Sequence, residues 1–230
     1  MKYKFLLFDA DNTVLDFDKA QENSLQRAFV ANGLSFDQNV LAVYRKNNIY
    51  LWEQLELGLV DKPTVLTERF RLTFDELNVK LTDEVFHAVS SMYEEGLHYG
   101  FQVVAHAEDV LRRLTDEGHK LYLVSNGVLS VQTARMEGSR LGKYFLMRFI
   151  SEQVGVPKPS KKFFDYAFSQ IPDFDKSSAL IVGDSLTSDI KGGINAEIAT
   201  CWFNPEHAAN TKGILPDYEI DDLRQLFDIV

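Results

Sequence analysis

Asp9 and Asp11 stand one residue apart at the end of the apolar run Phe5-Leu6-Leu7-Phe8, and Thr13 follows them. Two carboxylates this close repel unless a cation or a proton lies between them. Three readings satisfy that condition. The pair can bind a hard metal ion, or divide into an ionised nucleophile and a protonated acid. It can also be a solvated turn, where Asp and Asn are common because they hydrogen-bond their own backbone. The run in front of the pair reads as a strand buried on both faces. In an open α/β sheet, ligands bind beyond the carboxyl ends of the strands. Asp9 is therefore expected on the floor of a cleft, with Asp11 projecting beside it from the loop.

Three more polar groups follow predicted strands. Ser125-Asn126-Gly127 comes directly after Leu121-Tyr122-Leu123-Val124. A hydroxyl and backbone N–H groups ahead of a helix start suit a phosphate oxygen, though Ser-Asn-Gly is also an ordinary turn. Lys158 lies between Pro157 and Pro159. The stiff backbone there fixes a point charge that can pair with a carboxylate and a phosphate; alone, it is equally a surface lysine in a proline loop. Gly183-Asp184 follows Leu180-Ile181-Val182, and Asp189 comes at the first turn of the next helix, where the helix dipole also favours a carboxylate. Each signal is modest alone. Together they place polar groups at four strand ends of one sheet.

The elements that must position these groups fall into two kinds. From about 17 to 100 the pattern is helical, with helices expected over 20–31, 38–57, 64–77 and 83–97. Asn32-Gly33 and Gly58 act as stop signals, and Pro63 opens the third helix. From 106 onward helices and strands alternate. Helices are expected at 107–117, 129–137, 161–170 and 186–196, with strands at 120–124, 145–150, 179–182 and 199–203. A last strand at 217–220 precedes a terminal helix. This alternation specifies a parallel sheet with helices on both faces. The expected fold is α/β: a doubly wound, Rossmann-like core formed by 1–16 with 101–230. An all-α cap, 17–100, is inserted after the first strand and is placed to cover the carboxyl-end cleft.

Composition narrows the partners. The 230 residues carry 24 basic and 34 acidic side chains, a net charge of -10. That disfavours long nucleic acid, whose affinity comes largely from cationic side chains. A small phosphorylated ligand remains open, since one metal ion and one lysine neutralise a phosphate locally. Cys201 is the single cysteine, so no intrachain disulfide forms and a reducing compartment is expected. The apolar start is too short for a membrane span or a signal peptide. The expectation is a cytoplasmic protein with no membrane partner.

The set Asp9-x-Asp11-x-Thr13, Ser125-Asn126, Lys158 and Gly183-Asp184 with Asp189, together with a helical insertion after the first strand, resembles the haloacid dehalogenase superfamily of phosphatases. The resemblance covers essentially the whole chain. It implies Asp9 as a nucleophile that becomes an aspartyl-phosphate, and Asp11 as general acid and then base. It implies Ser125, Asn126 and Lys158 around the phosphate, and Mg²⁺ held by Asp9, the Asp11 backbone carbonyl and Asp184. Asp189 then supports a metal-bound water or Lys158. Asp11 must carry a proton at the first step, so its pKa is expected to rise in the complex. The stretches 150–162, 191–196, 200–205 and 9–17 are further similar to bacterial pyrimidine 5′-nucleotidases. This implies nucleoside monophosphate substrates, non-standard pyrimidine ones included.

Three positions depart from the superfamily pattern, one of them Gly138-Ser139, where a helix usually continues. Ala105-His106-Ala107 replaces the usual Pro-Gly-Ala, which allows a looser hinge. Glu197 stands where glycine is usual, and its backbone is expected to avoid positive φ. Tyr44, Tyr50 and Trp52 in the cap are read as packing residues rather than a base-stacking surface. Alternatives within the fold are a phosphatase of a sugar phosphate or phosphoglycolate, and a phosphomutase. A dehalogenase is disfavoured by Asp11 and Asp184. Outside enzymes, a receiver-like protein that binds metal and phosphate keeps the acidic pocket, hydroxyl and lysine, but such domains are shorter and lack the insertion.

Overall fold

A computed structural model describes all 230 residues. They form two compact units, Met1–Phe17 with Phe101–Val230, and Asp18–Gly100.

The first unit is built on six parallel strands in the order β3-β2-β1-β4-β5-β6. These are β1 (Phe5–Phe8), β2 (Lys120–Ser125), β3 (Met147–Ile150), β4 (Ala179–Gly183), β5 (Ala199–Phe203) and β6 (Tyr218–Ile220). β1 lies at the centre, paired with β2 through Phe8↔Leu123 and with β4 through Phe8↔Val182. All four β1 residues are fully buried. Leu6 and Phe8 enter one core with Leu121, Leu123, Leu180 and Val182, while Phe5 and Leu7 enter the other with Tyr122, Val124 and Ile181. The strict alternation of strand side chains thus feeds two hydrophobic layers. Helices α5 (Ala107–Asp116) and α8 (Lys161–Gln170), the latter preceded by the single turn α7 (Ser151–Val154), supply opposite layers, through Val110, Leu111 and Leu114 on one side and Phe163, Phe164 and Ala167 on the other.

The second unit contains α2 (Gln38–Glu56), α3 (Lys62–Glu76), α4 (Asp83–Leu97) and all but the first residue of α1 (Phe17–Ala31). Asp37, Asp61 and Thr82 cap α2, α3 and α4 by accepting hydrogen bonds from Val40, Thr64 and Val85 N–H, each satisfying an orphan donor of a first turn. Tyr44 is fully buried, with Phe70 and Tyr93 at ring-centroid distances of 5.2 and 5.3 Å. Trp52 packs against Leu51, Leu55 and Val65, but Tyr50, expected to pack as well, is exposed: it lies on the outward side of α2. Arg69 is 2% exposed and donates from Nη1 to Asn48 Oδ1 at 3.3 Å.

Three further expectations need correction. The helix expected over 186–196 divides: Leu186–Ile190 is a wide turn of π type, and α9 runs Lys191–Ala196. Ser185 C=O accepts from both Asp189 and Ile190 N–H, which widens the turn at the position where Asp189 must turn inward. Glu197 does not avoid positive φ. It ends α9 at φ 63°, with its N–H bonded to Gly193 and Ile194 carbonyls, so helix termination there outweighs the steric cost of the left-handed region. The expected terminal helix is a 3₁₀ segment, Leu223–Asp228. His106, at the start of α5, has its Nε2 3.9 Å from Asp222 Oδ2.

Candidate active site

β1 delivers Asp9 from a ladder position. Its N–H donates to Val182 C=O at 2.9 Å, so the backbone is still in register as the side chain leaves the sheet. The chain then turns tightly. Asn12 N–H donates to Leu15 C=O, Leu15 N–H donates to Ala10 C=O, and Asn12 takes a positive φ of 53°. Thr13 is fully buried, and its Oγ1 accepts from Asp184 N–H at 3.1 Å. The threonine of the first motif therefore fixes the backbone of the fourth. Trp202 Nε1, at the end of β5, donates to Asp184 C=O at 2.8 Å.

Lys158 lies at the centre of the cluster, 1% exposed. Its Nζ donates to Asp9 Oδ1 at 2.6 Å, to Asp189 Oδ1 at 2.6 Å and to Val124 C=O at 2.9 Å. All three ammonium protons are thereby placed. The Lys158 backbone is held as firmly. Asn126 Oδ1 accepts from Lys158 N–H at 2.8 Å, and Asn126 Nδ2 donates to Lys158 C=O at 2.9 Å. The Asn126 side chain thus fixes the lysine's loop. Asp189 Oδ2 accepts from Ser185 N–H at 3.1 Å.

One carboxylate oxygen from each of Asp9, Asp184 and Asp189 lies within 4.8 Å of the others. A single ammonium cannot neutralise three carboxylates. Burial, opposed by Lys158 and reinforced by the charges of Asp189 and Asp11, pushes the Asp9 carboxyl up to about 7. Burial, followed by repulsion from Asp9 and Asp189, pushes Asp184 well above the carboxylate range. Lys158 is held firmly charged: its own burial opposes this, but the two carboxylates in contact prevail. The hard oxygen donors of Asp9 and Asp184 thus lie in a cluster that is short of positive charge. The donor set fits a divalent cation of the Mg²⁺ type.

Ser125 is 1% exposed, and its Oγ accepts from Gly127 N–H at 3.0 Å and Gln132 Nε2 at 3.1 Å. Both contacts use lone pairs, so neither uses the hydroxyl proton. Asp11 is partly buried. Its Oδ2 accepts from Gln132 Nε2 at 2.5 Å, and its Oδ1 pairs with Arg135 Nη1.

Asp9, Asp11, Ser125, Asn126, Lys158, Asp184 and Asp189 are therefore joined by direct or one-residue links around the ends of β1, β2 and β4. Gln132 and Arg135, both on α6 (Leu129–Gly138), are functional candidates that the motif reading missed. A signal existed: they are three residues apart, on one helix face, shortly after Ser125. Their types suggest a solvated face, yet they are 2% and 0% exposed.

Comparison with known proteins agrees with this architecture. Residues 3–197 match the model of the haloacid dehalogenase-like hydrolases. The chain is 37% identical to the pyrimidine 5′-nucleotidase PynA of Streptococcus pneumoniae, over 99% of this chain and 95% of that protein. It is 34% identical to the pyrimidine 5′-nucleotidase YjjG of Escherichia coli, over 98% and 97% of the two chains. The solved structure of the HAD-hydrolase YfnB of Bacillus subtilis, bound to magnesium, superposes with a TM-score of 0.92 at 35% identity, covering 100% of this chain and 99% of that one. The chain belongs to the haloacid dehalogenase-like hydrolases.

Proposed function

We propose that this haloacid dehalogenase-like hydrolase is a Mg²⁺-dependent phosphatase of nucleoside 5′-monophosphates, pyrimidine nucleotides foremost, acting through an aspartyl-phosphate on Asp9. The observation that carries the mechanism is the Asp9 carboxylate: one oxygen pinned by Lys158 and the group beside Asp184, in a cluster short of positive charge. The nucleotide preference rests on PynA and YjjG, both named as pyrimidine 5′-nucleotidases.

In this reading Asp9, the Asp11 backbone carbonyl and Asp184 would hold Mg²⁺. When bound, the ion keeps Asp9 anionic and offsets charge on the phosphate. Asp9 forms the new bond to phosphorus as the ester bond breaks, and the bonding pair leaves with the ester oxygen. Asp11 supplies the proton to that oxygen. A water then attacks phosphorus, gives its proton to Asp11, and the acyl-phosphate bond breaks to return free Asp9. Lys158 holds a phosphate oxygen by sharing an ammonium proton now directed at Asp9 or Asp189. Ser125 donates the hydroxyl proton that its two accepted bonds leave over. Asn126 serves the phosphate side of the site by fixing the Lys158 backbone, and Asp189 by orienting its ammonium. The helical unit 18–100 is the cap that selects the substrate. Phosphoryl transfer of this kind rests on positioning and charge neutralisation.

Phosphate release is measured from UMP, dUMP, dTMP, 5-halogenated dUMP, AMP, sugar phosphates and phosphoglycolate, with Mg²⁺ and with EDTA, on wild type and Asp9→Asn. Metal-dependent release that favours the pyrimidine monophosphates and vanishes in Asp9→Asn is expected. Preference for sugar phosphates or phosphoglycolate would keep the mechanism and overturn the substrate. No release from any ester would leave the mutase or receiver-like readings.

A further inference from the structure

Arg135 is fully buried beside a reacting carboxylate, although a buried charge is costly to desolvate and must be paired. Its Nη1 meets Asp11 Oδ1, and its guanidinium carbon lies 5.4 Å from the centroid of the Phe17 ring. One turn earlier on α6, Gln132 Nε2 reaches the other Asp11 oxygen at 2.5 Å and Ser125 Oγ at 3.1 Å. Gln132 Oε1 is buried and has no hydrogen-bond partner, so these two acceptors alone orient the amide. The approach requires Gly127: a Cβ there would stand 2.3 Å from Gln132 Nε2. One helix face thus grips both oxygens of Asp11 and ties them to the hydroxyl of Ser125.

We infer that Gln132 and Arg135 are positioning residues for Asp11, setting its carboxyl at a fixed place relative to Ser125 and hence to the leaving-group oxygen of a bound ester. This rests on the phosphatase reading above. As the ester bond breaks, the proton passes from Asp11 to the leaving oxygen, and the carboxylate left behind faces Arg135. Neither side chain is required to touch the substrate. The effect of Arg135 is then confined to reactions in which the leaving group needs that proton, whereas Gln132, which also holds Ser125 Oγ, adds a loss common to all esters.

The test compares kcat/KM, which reports steps up to aspartyl-phosphate formation, for UMP and for p-nitrophenyl phosphate. The aryl ester leaves without a proton; the alkyl ester of UMP does not. Wild type, Arg135→Met, Arg135→Lys and Gln132→Leu are measured with Mg²⁺. Expected for Arg135→Met is a fall of about tenfold or more on UMP, with about threefold or less on the aryl ester; Gln132→Leu, which also frees Ser125, lowers both, UMP by about threefold or more beyond the aryl ester. Arg135→Lys should recover part of the UMP loss. An equal fall on both esters, no fall, or a gain overturns the inference. Gln132→Leu removes no charge and keeps the comparison available where Arg135→Met fails to fold. A wild type inactive on both esters counts against the phosphatase reading itself. Crystal structures of Gln132→Leu and wild type then decide the positioning: an Asp11 carboxylate turned from its wild-type place upholds it, and an unmoved one overturns it.

Discussion

A Cβ placed on Gly183 would lie 2.3 Å from Cγ of Asp189. The last residue of β4 is therefore glycine because the Asp189 carboxylate occupies the space a side chain would need, on its way to Lys158. Gly183→Ala must displace Asp189 or shift the strand end. We expect a loss of about 1–3 kcal/mol in stability and a larger loss of turnover, because the Lys158 ammonium loses an acceptor. Chemical unfolding and phosphate release on the same preparation check this. Full activity in Gly183→Ala would show that Asp189 is dispensable to Lys158.

Replacing Lys158 with Met leaves Asp9 and Asp189 facing each other in the interior. The fold should lose about 3–5 kcal/mol near neutral pH. The loss should shrink as the pH is lowered. Asp9, already raised to about 7, loses the cation that opposes its protonation. Above about pH 7 it holds a proton that folded wild-type Asp9 has already lost, so the penalty shrinks as the pH falls toward 7 and levels off below it, where Asp9 is protonated in both folded proteins. Urea titrations from mildly alkaline pH down to about 7 test this; a penalty independent of pH over that window would contradict it.

Metal binding should be coupled to proton release. The ion needs Asp9 as a carboxylate, whereas in the metal-free protein this group is half protonated at about pH 7. Below that pH the cation must displace a proton, so Mg²⁺ affinity should fall by up to about tenfold per pH unit for each proton released. Above it, affinity should level off unless Asp184, also raised, extends the dependence upward. Calorimetric titrations in buffers of different ionisation enthalpy count the protons. Affinity unchanged across the acidic range would contradict the assignment of Asp9 as a ligand.

Glu197 is held at φ 63°, a region that costs an L residue with a Cβ roughly 1–2 kcal/mol. Glycine removes that cost but widens the unfolded ensemble. Its loss of the exposed ion pair with Lys176 at 2.9 Å costs little. Glu197→Gly should therefore stabilise the protein by about 0.5 kcal/mol and leave turnover unchanged. Thermal unfolding of the pair checks the sign.

Much of this protein is written locally. The apolar run of β1, the alternation after residue 106 and the helical block before it specify a parallel α/β sheet and a helical insertion, because periodicity and strand burial are properties of short segments. The strand-end positions of Asp9, Ser125 and Asp184 follow from the same runs. The helix cap Asp61 and the stop at Gly58 are equally local. What segments do not contain is the partner of each polar group. Lys158 is one basic residue in a proline loop until the fold brings it 2.6 Å from both Asp9 and Asp189, which are 149 and 31 residues away in sequence. Gln132 and Arg135 read as the solvated face of a helix, and only their burial against a loop over 120 residues earlier shows whom they serve. Glu197 shows the reverse case: a helix end decided a backbone conformation that residue type disfavours. Spacing and composition determined which chemistry the strand ends carry. Long-range packing decided the charge balance, because desolvation and ion pairing depend on neighbours that the linear order keeps apart.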